Sequence, residues 1–83
     1  MTLGGCRMAL YAEIEKIDET DREVRYRFAD AAGRERVMLL DKVSGRTAPE
    51  DGREDYLYRA VARKVAVCWL REGAAPGRLL VQS

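Results

Sequence analysis

Apolar and polar side chains alternate with a two-residue period along the first half of the chain, which is typical of half-buried β-strands. The pattern predicts strands over residues 7–17, 23–28 and 34–43. Polar and small residues occupy the intervals 18–22 and 30–33, and they predict two hairpin turns. The first half of the chain is therefore expected to form a three-stranded antiparallel meander.

The apolar positions also favour a register for the second hairpin. If Ala29 lies opposite Arg34, Tyr26 faces Val37 on one apolar face of the sheet. Asp41 then falls on the same inward side, at the end of the third strand.

In the first hairpin, the preferred register places Ile17 opposite Glu23. Apolar residues again share one face. The other face then carries opposed charges, in the pairs Glu13 with Arg27 and Glu15 with Arg25. Such cross-strand pairs contribute only roughly 0.2 to 1 kcal/mol each, but their complementarity supports the meander.

A loop over residues 42–52 separates the meander from a helical period that follows Gly52 and continues to Glu72. Gly73 is expected to end the helix, because glycine readily adopts the left-handed conformation found at helix C-termini. Two capping-box spacings compete at the start of the helix, namely Asp51 with Glu54 and Thr47 with Glu50.

One side of this helix is predicted to face the sheet. The residues on that side are Leu57, Tyr58, Val61, Ala62, Val65, Cys68 and Trp69. Core packing is the expected role of Trp69, and Cys68 is expected to be an inert thiol.

The opposite side mixes cations with apolar side chains, a composition that protein interfaces favour. The candidate interface residues are Tyr56, Arg59, Arg63, Val67, Leu70 and Arg71, with Ala60 and Lys64 between them. This face suits a protein partner or a second copy of the chain. The alternative is that these apolar residues are surplus, because small proteins always leave some outside.

The apolar triplet at 79–81 is expected to form either a short fourth strand or a tail laid over the core. The predicted fold class is thus α+β, a three-stranded antiparallel meander with one long C-terminal helix packed on one face and a possible short fourth strand. Eighty-three residues give room for one small domain, 1–83, of which residues 1–7 are expected to be a flexible tail.

The terminus and the cysteines suggest a compartment. No secretory signal pattern occurs in the first residues, and Cys6 and Cys68 are expected to be free thiols of a cytoplasmic protein, with a disulfide as the alternative. No apolar run reaches 18 residues, so no membrane partner is expected.

The residue inventory disfavours most catalytic and cofactor chemistry. The chain has no histidine, which removes the commonest general base and the usual zinc nitrogen ligand. Zinc-type cysteine spacing and glycine-rich phosphate loops are also absent, so we expect no metal, no cofactor and no catalytic activity. A small His-free enzyme or ligand carrier would need an apolar pocket with Tyr26, Tyr58 or Asp41 pointing into it.

Nucleic acid is the second partner class to weigh. The whole chain has a net charge of +1, but residues 56–72 carry four basic side chains against one acidic side chain. That balance supports weak electrostatic contact, although the start of the helix at residues 53–55 is acidic and would repel phosphates. The sequence therefore predicts a non-catalytic protein-interaction or homodimerisation module first, and a weak nucleic-acid-binding accessory protein second.

Overall fold

Five β-strands and one α-helix make up residues 10–82, the part of the chain that the computed structural model describes. In chain order the elements are β1 Tyr11–Glu19, β2 Glu23–Asp30, β3 Glu35–Asp41, β4 Thr47–Pro49, α1 Tyr56–Glu72 and β5 Arg78–Gln82. The predicted α+β class is confirmed, whereas the predicted number of strands is wrong. The predicted tail 1–7 and the predicted start of the first strand at residue 7 lie outside the described residues.

The strands form one antiparallel sheet in the order β4-β3-β2-β1-β5. The central β1–β2–β3 unit is the predicted meander. Strand β4 lies within the segment 42–52, which was predicted to be a loop. It pairs antiparallel with β3, so that Met38 lies opposite Pro49 and Leu40 lies opposite Thr47. The triplet at 79–81 belongs to β5 and pairs with β1, so the fourth strand predicted there exists as the fifth strand of the chain.

The predicted register of the second hairpin is wrong by one residue. Ala29 lies opposite Glu35 and not Arg34, because Asp30 and Arg34 already pair around a three-residue loop, with the Asp30 amide donating to the Arg34 carbonyl over 3.1 Å. Gly33 closes this loop with a positive φ of 84°. A one-residue shift exchanges the two faces of a strand, so Met38 opposes Tyr26 in the core in place of Val37.

The predicted register of the first hairpin is wrong by two residues, which leaves the faces unchanged. Ile14 lies opposite Phe28, and a bulge between Lys16 and Asp18 leaves Ile17 exposed. The turn is shorter than predicted because the Thr20 hydroxyl accepts hydrogen bonds from the amides of Arg22 and Glu23.

The charge pairs on the open face change with this register. Glu15 forms an ion pair with Arg27, whereas the predicted partner of Glu15 was Arg25. Arg25 instead forms a 2.7 Å ion pair with Glu50, beyond β4. The expected charge complementarity is present, but with different partners.

Helix α1 ends where the sequence predicts and begins later than predicted. Gly73 has a φ of 67° and donates its amide to the Trp69 carbonyl over 2.9 Å. Both predicted capping boxes are wrong, because Asp55 is the N-cap and accepts a 2.9 Å hydrogen bond from the Tyr58 amide.

The core lies between α1 and one face of the sheet. Its buried side chains come from both layers and are Ala12, Ile14, Val24, Tyr26, Phe28, Met38, Leu40, Tyr58, Val61, Ala62 and Val65. The predicted inner side of the helix is confirmed, since Leu57 and Trp69 pack partly buried against this core and Cys68 is half-buried. The possible partner of Cys68, Cys6, lies outside the described residues.

Candidate protein-interaction surface

The side of α1 that faces away from the sheet is exposed along its whole length. We call it the outer helix face and define it by the six predicted interface residues together with Lys64. Three of its apolar side chains keep large exposed fractions, 70% for Tyr56, 43% for Val67 and 77% for Leu70. The folded chain therefore leaves these three side chains in solvent.

A groove separates the first three turns of α1 from the edge strand β5. Its volume is about 760 Å³. The helix contributes Tyr56, Arg59, Ala60, Arg63, Lys64 and Val67 to its lining, and the other wall is formed by Leu10, Leu80, Val81 and Gln82. Four of the six predicted interface residues thus come together in one depression, whereas Leu70 and Arg71 lie outside its lining.

Strand β5 offers an unpaired backbone edge to this groove. It is the last strand of the sheet order, and no strand within residues 10–82 pairs with its outer side. The Lys16 amide donates to the Gly77 carbonyl over 2.8 Å. Because bonded and non-bonded pairs alternate in an antiparallel ladder, the backbone groups of Arg78, Leu80 and Gln82 then point away from β1.

The cations of the outer helix face have no acidic partners within residues 10–82. Eight other cations of the chain hold ion pairs, namely Lys16, Arg25, Arg27, Arg34, Arg36, Lys42, Arg53 and Arg78. None of these pairs includes a cation of α1. The positive charge of the helix is therefore not neutralised by the described part of the fold.

Arg36 shows what internal charge pairing looks like in the same molecule. Its guanidinium lies 3.0 Å from an oxygen of Asp51 and 2.8 Å from both oxygens of Asp55, and it stacks over the Phe28 ring at 5.1 Å from the ring centroid. Hydrogen bonds from Arg36 lower the pKa of Asp55, and they lower that of Asp51 as well. This cluster fixes the start of α1, because the helix cap is one of its members.

The residues proposed for an enzyme or ligand carrier are each engaged elsewhere. The Tyr26 hydroxyl donates to the Pro76 carbonyl over 2.8 Å, and burial raises the pKa of Tyr26 above its ordinary value. The Tyr58 hydroxyl bonds to the Thr47 hydroxyl over 2.9 Å.

Asp41 does not point inward as the predicted register required. It is exposed at the end of β3, and its carboxylate accepts hydrogen bonds from the amides of Val43 and Ser44, which lower the pKa of Asp41. Tyr26, Tyr58 and Asp41 are all absent from the lining of the groove between α1 and β5. Within residues 10–82, carboxylates and cysteines form no cluster of three or more that could hold a metal ion.

Several residues of the groove were not among the candidates drawn from the sequence. Lys64 was noted between them, but Leu10, Leu80, Val81 and Gln82 were missed. The sequence signal for them was the apolar triplet at 79–81. A strand with one buried face needs apolar residues only at alternate positions, so three in a row indicate an apolar side chain on the exposed face as well. Leu79 and Val81 pack against the core, whereas Leu80 points to the other face and stays 44% exposed.

The fold and this surface define a small α+β protein whose sheet is covered on one side by a single helix. Comparisons with protein-family models, with curated proteins and with solved structures find no match. Within residues 10–82, no helix combines the length and the apolar character that crossing a membrane requires.

Proposed function

We propose that this protein is a non-catalytic interaction module that binds a protein through the outer helix face. The observation that carries the proposal is the combination of exposed Tyr56, Val67 and Leu70 with Arg59 and Arg63, whose charges are unpaired within the described fold. Tyrosine and arginine are, with tryptophan, the residue types most enriched among the residues that dominate binding energy at protein interfaces.

The partner is either a second copy of the chain or another protein, and both fit the composition of the face. In both cases the apolar side chains would lose their exposed surface to the partner. Burial of apolar surface stabilises a complex by about 25 cal/mol per Å², before the costs of association are subtracted.

Nucleic acid is the second candidate, because four basic side chains on residues 56–72 outnumber one acidic side chain. The open face of the sheet adds little to such a site. Its Tyr11 hydroxyl donates to Glu13 over 2.5 Å, so a carboxylate lies beside this aromatic ring and would repel the phosphates of a bound strand.

A matched pair of valine variants tests the proposal. Val67 lies on the outer helix face, and Val43, 82% exposed, lies in the turn after β3. We expect Val67→Glu to abolish self-association measured by light scattering, or capture of a specific partner from the native host, and Val43→Glu to leave both unchanged.

Equal behaviour of the two valine variants would contradict the proposal, provided that both melt like the parent protein. Binding of an RNA or DNA pool that is lost in Arg59→Glu but kept in Val67→Glu would favour the nucleic-acid candidate.

A further inference from the structure

The outer edge of β5, which pairs with no strand in the described part of the chain, and the basic groove beside it point to one kind of occupant. Building on the proposed function, we infer that the groove accepts an extended acidic segment of a partner protein, which pairs with β5 as a sixth strand of the sheet. The juxtaposition of a strand edge and of cations that both lack partners within residues 10–82 carries this inference.

The backbone edge supplies the first half of the argument. The amides and carbonyls of Arg78, Leu80 and Gln82 repeat every second residue along the outer side of β5. An extended polypeptide matches that repeat with its own alternating donors and acceptors, and this is how strand addition gives affinity. The sugar-phosphate backbone of a nucleic acid does not offer this repeat, so the edge favours a protein.

The charges supply the second half. One side of an added strand would face the helix wall of the groove, where Arg59, Arg63 and Lys64 lie. The other side would lie next to Leu80, whose side chain is on the face of the sheet opposite α1. A segment in which acidic and β-branched residues alternate satisfies both sides at once.

The same charges argue against two other occupants. A second copy of the chain that paired edge to edge would bring two basic helix faces together, and like charges in close approach are destabilising. The chain's own residues 1–9 carry Arg7 as their one charged side chain, which has the same sign as the groove. An acidic partner segment is the occupant that charge complementarity favours.

The test uses the full chain and three short synthetic peptides. One alternates glutamate with valine, one alternates lysine with valine, and one has the glutamate–valine sequence with prolines that remove the amides needed for strand pairing. At roughly 50 mM salt, where charges are only moderately screened, we expect the glutamate peptide to bind at least about tenfold more tightly than either control.

Two substitutions at one position separate edge pairing from side-chain contact. Leu80→Pro removes an outward amide but no hydrogen bond to β1, whereas Leu80→Ala removes the side chain and keeps the amide. We expect Leu80→Pro to lose the glutamate peptide and Leu80→Ala to retain most of the binding. If Leu80→Pro melts earlier than the parent, amide exchange on the unmodified chain replaces it, with protection of Leu80 and Gln82 expected on peptide addition.

Each other outcome overturns the inference in a distinct way. Equal binding of the lysine peptide, or binding that Leu80→Pro leaves intact, shows that β5 does not select an acidic strand, and the proposed role of the outer helix face survives. A dimer that Leu80→Pro dissociates makes a second copy the occupant. No binding of the glutamate peptide, together with binding of single-stranded RNA, makes nucleic acid the occupant and contradicts the proposed function as well.

Discussion

The two sides of helix α1 have similar side chains and very different surroundings. Tyr58 and Val65 on the inner side are 5% and 0% exposed, while Tyr56 and Val67 on the outer side are 70% and 43% exposed. The inner side and the start of the helix are bound to the sheet by apolar contacts and by Arg36. Substitutions on the inner side should therefore change stability, and substitutions on the outer side should change binding.

The largest expected difference between the inner and outer sides of α1 comes from making the same valine-to-alanine substitution on each side. Val65→Ala should lower the free energy of unfolding by about 2 kcal/mol, because it removes buried methyl groups and leaves a cavity. Val67→Ala should change it by less than about 0.5 kcal/mol, because the side chain is already in contact with water. Denaturant titration of both variants measures the difference, and equal losses would contradict the assignment of the two sides.

Replacing an arginine in each region gives the next largest effect. Arg36→Met should cost about 1.5 to 2 kcal/mol, because it removes charge-assisted hydrogen bonds to Asp51 and Asp55 from a side chain that is only 13% exposed. Arg63→Met, on the outer helix face, should change the free energy of unfolding by less than about 0.5 kcal/mol. Thermal melting compares the two variants. A larger loss for Arg63→Met would mean that the outer cations serve the fold.

The helix cap at Asp55 predicts a smaller loss of folding stability when its capping oxygen is removed. Asp55→Ala should be about 1 kcal/mol less stable than Asp55→Asn, because the Tyr58 amide loses its acceptor in the alanine variant whereas an amide oxygen can still cap. Both variants lose the ion pair with Arg36, so the difference between them isolates the cap. Glu54→Ala is the control and should change stability by less than about 0.5 kcal/mol. A greater loss at Glu54 than at Asp55 would restore the capping box that the sequence predicted.

The smallest expected effect is a dependence of folding stability on pH in the acidic range. Hydrogen bonds from Lys16 and Lys42 lower the pKa of Glu19 from its ordinary 4.5 to about 2. A carboxylate with a depressed pKa stabilises the fold above its unfolded pKa, so this contribution is complete above pH 4.5 and is lost as the pH falls toward 2.

The stability difference between the parent protein and Glu19→Gln should therefore be constant near neutral pH and shrink on acidification. Urea titrations across this range measure it. The corresponding difference for Arg63→Gln should be flat, because Arg63 has no carboxylate partner within residues 10–82. A pH-dependent difference for Arg63→Gln would reveal such a partner.

The parts of the fold that were predictable from the sequence are those set by local periodicity. The alternation around Tyr26 and the helical period around Val61 each identify a buried face without knowledge of the neighbouring element. Gly73 similarly ends the helix through its own backbone conformation. These features depend on a few adjacent residues, so the local sequence is sufficient to predict them.

The parts that were not predictable depend on which residues pair with one another, either across a turn or between distant segments, and periodicity does not specify this. The register of β3 follows from a three-residue loop at residues 31–33, and its length is set by the pairing of Asp30 with Arg34. The cap at Asp55 is reinforced by Arg36 from another strand.

The candidate site follows the same division. Its helix side was predicted from local spacing, whereas its strand side, with Leu80 and Gln82, was missed because it requires β5 to lie beside α1.

The position of β1 between β2 and β5 has a consequence during translation. Its pairing with β2 involves a hairpin neighbour and can form soon after both have left the ribosome, whereas β5 is synthesised only after the whole of α1. Until then, one side of β1 and the apolar underside of the meander remain uncovered in the nascent chain. A ribosome that pauses within the helix would prolong this exposure, which favours aggregation, and a chaperone that covers β1 would protect the nascent chain there.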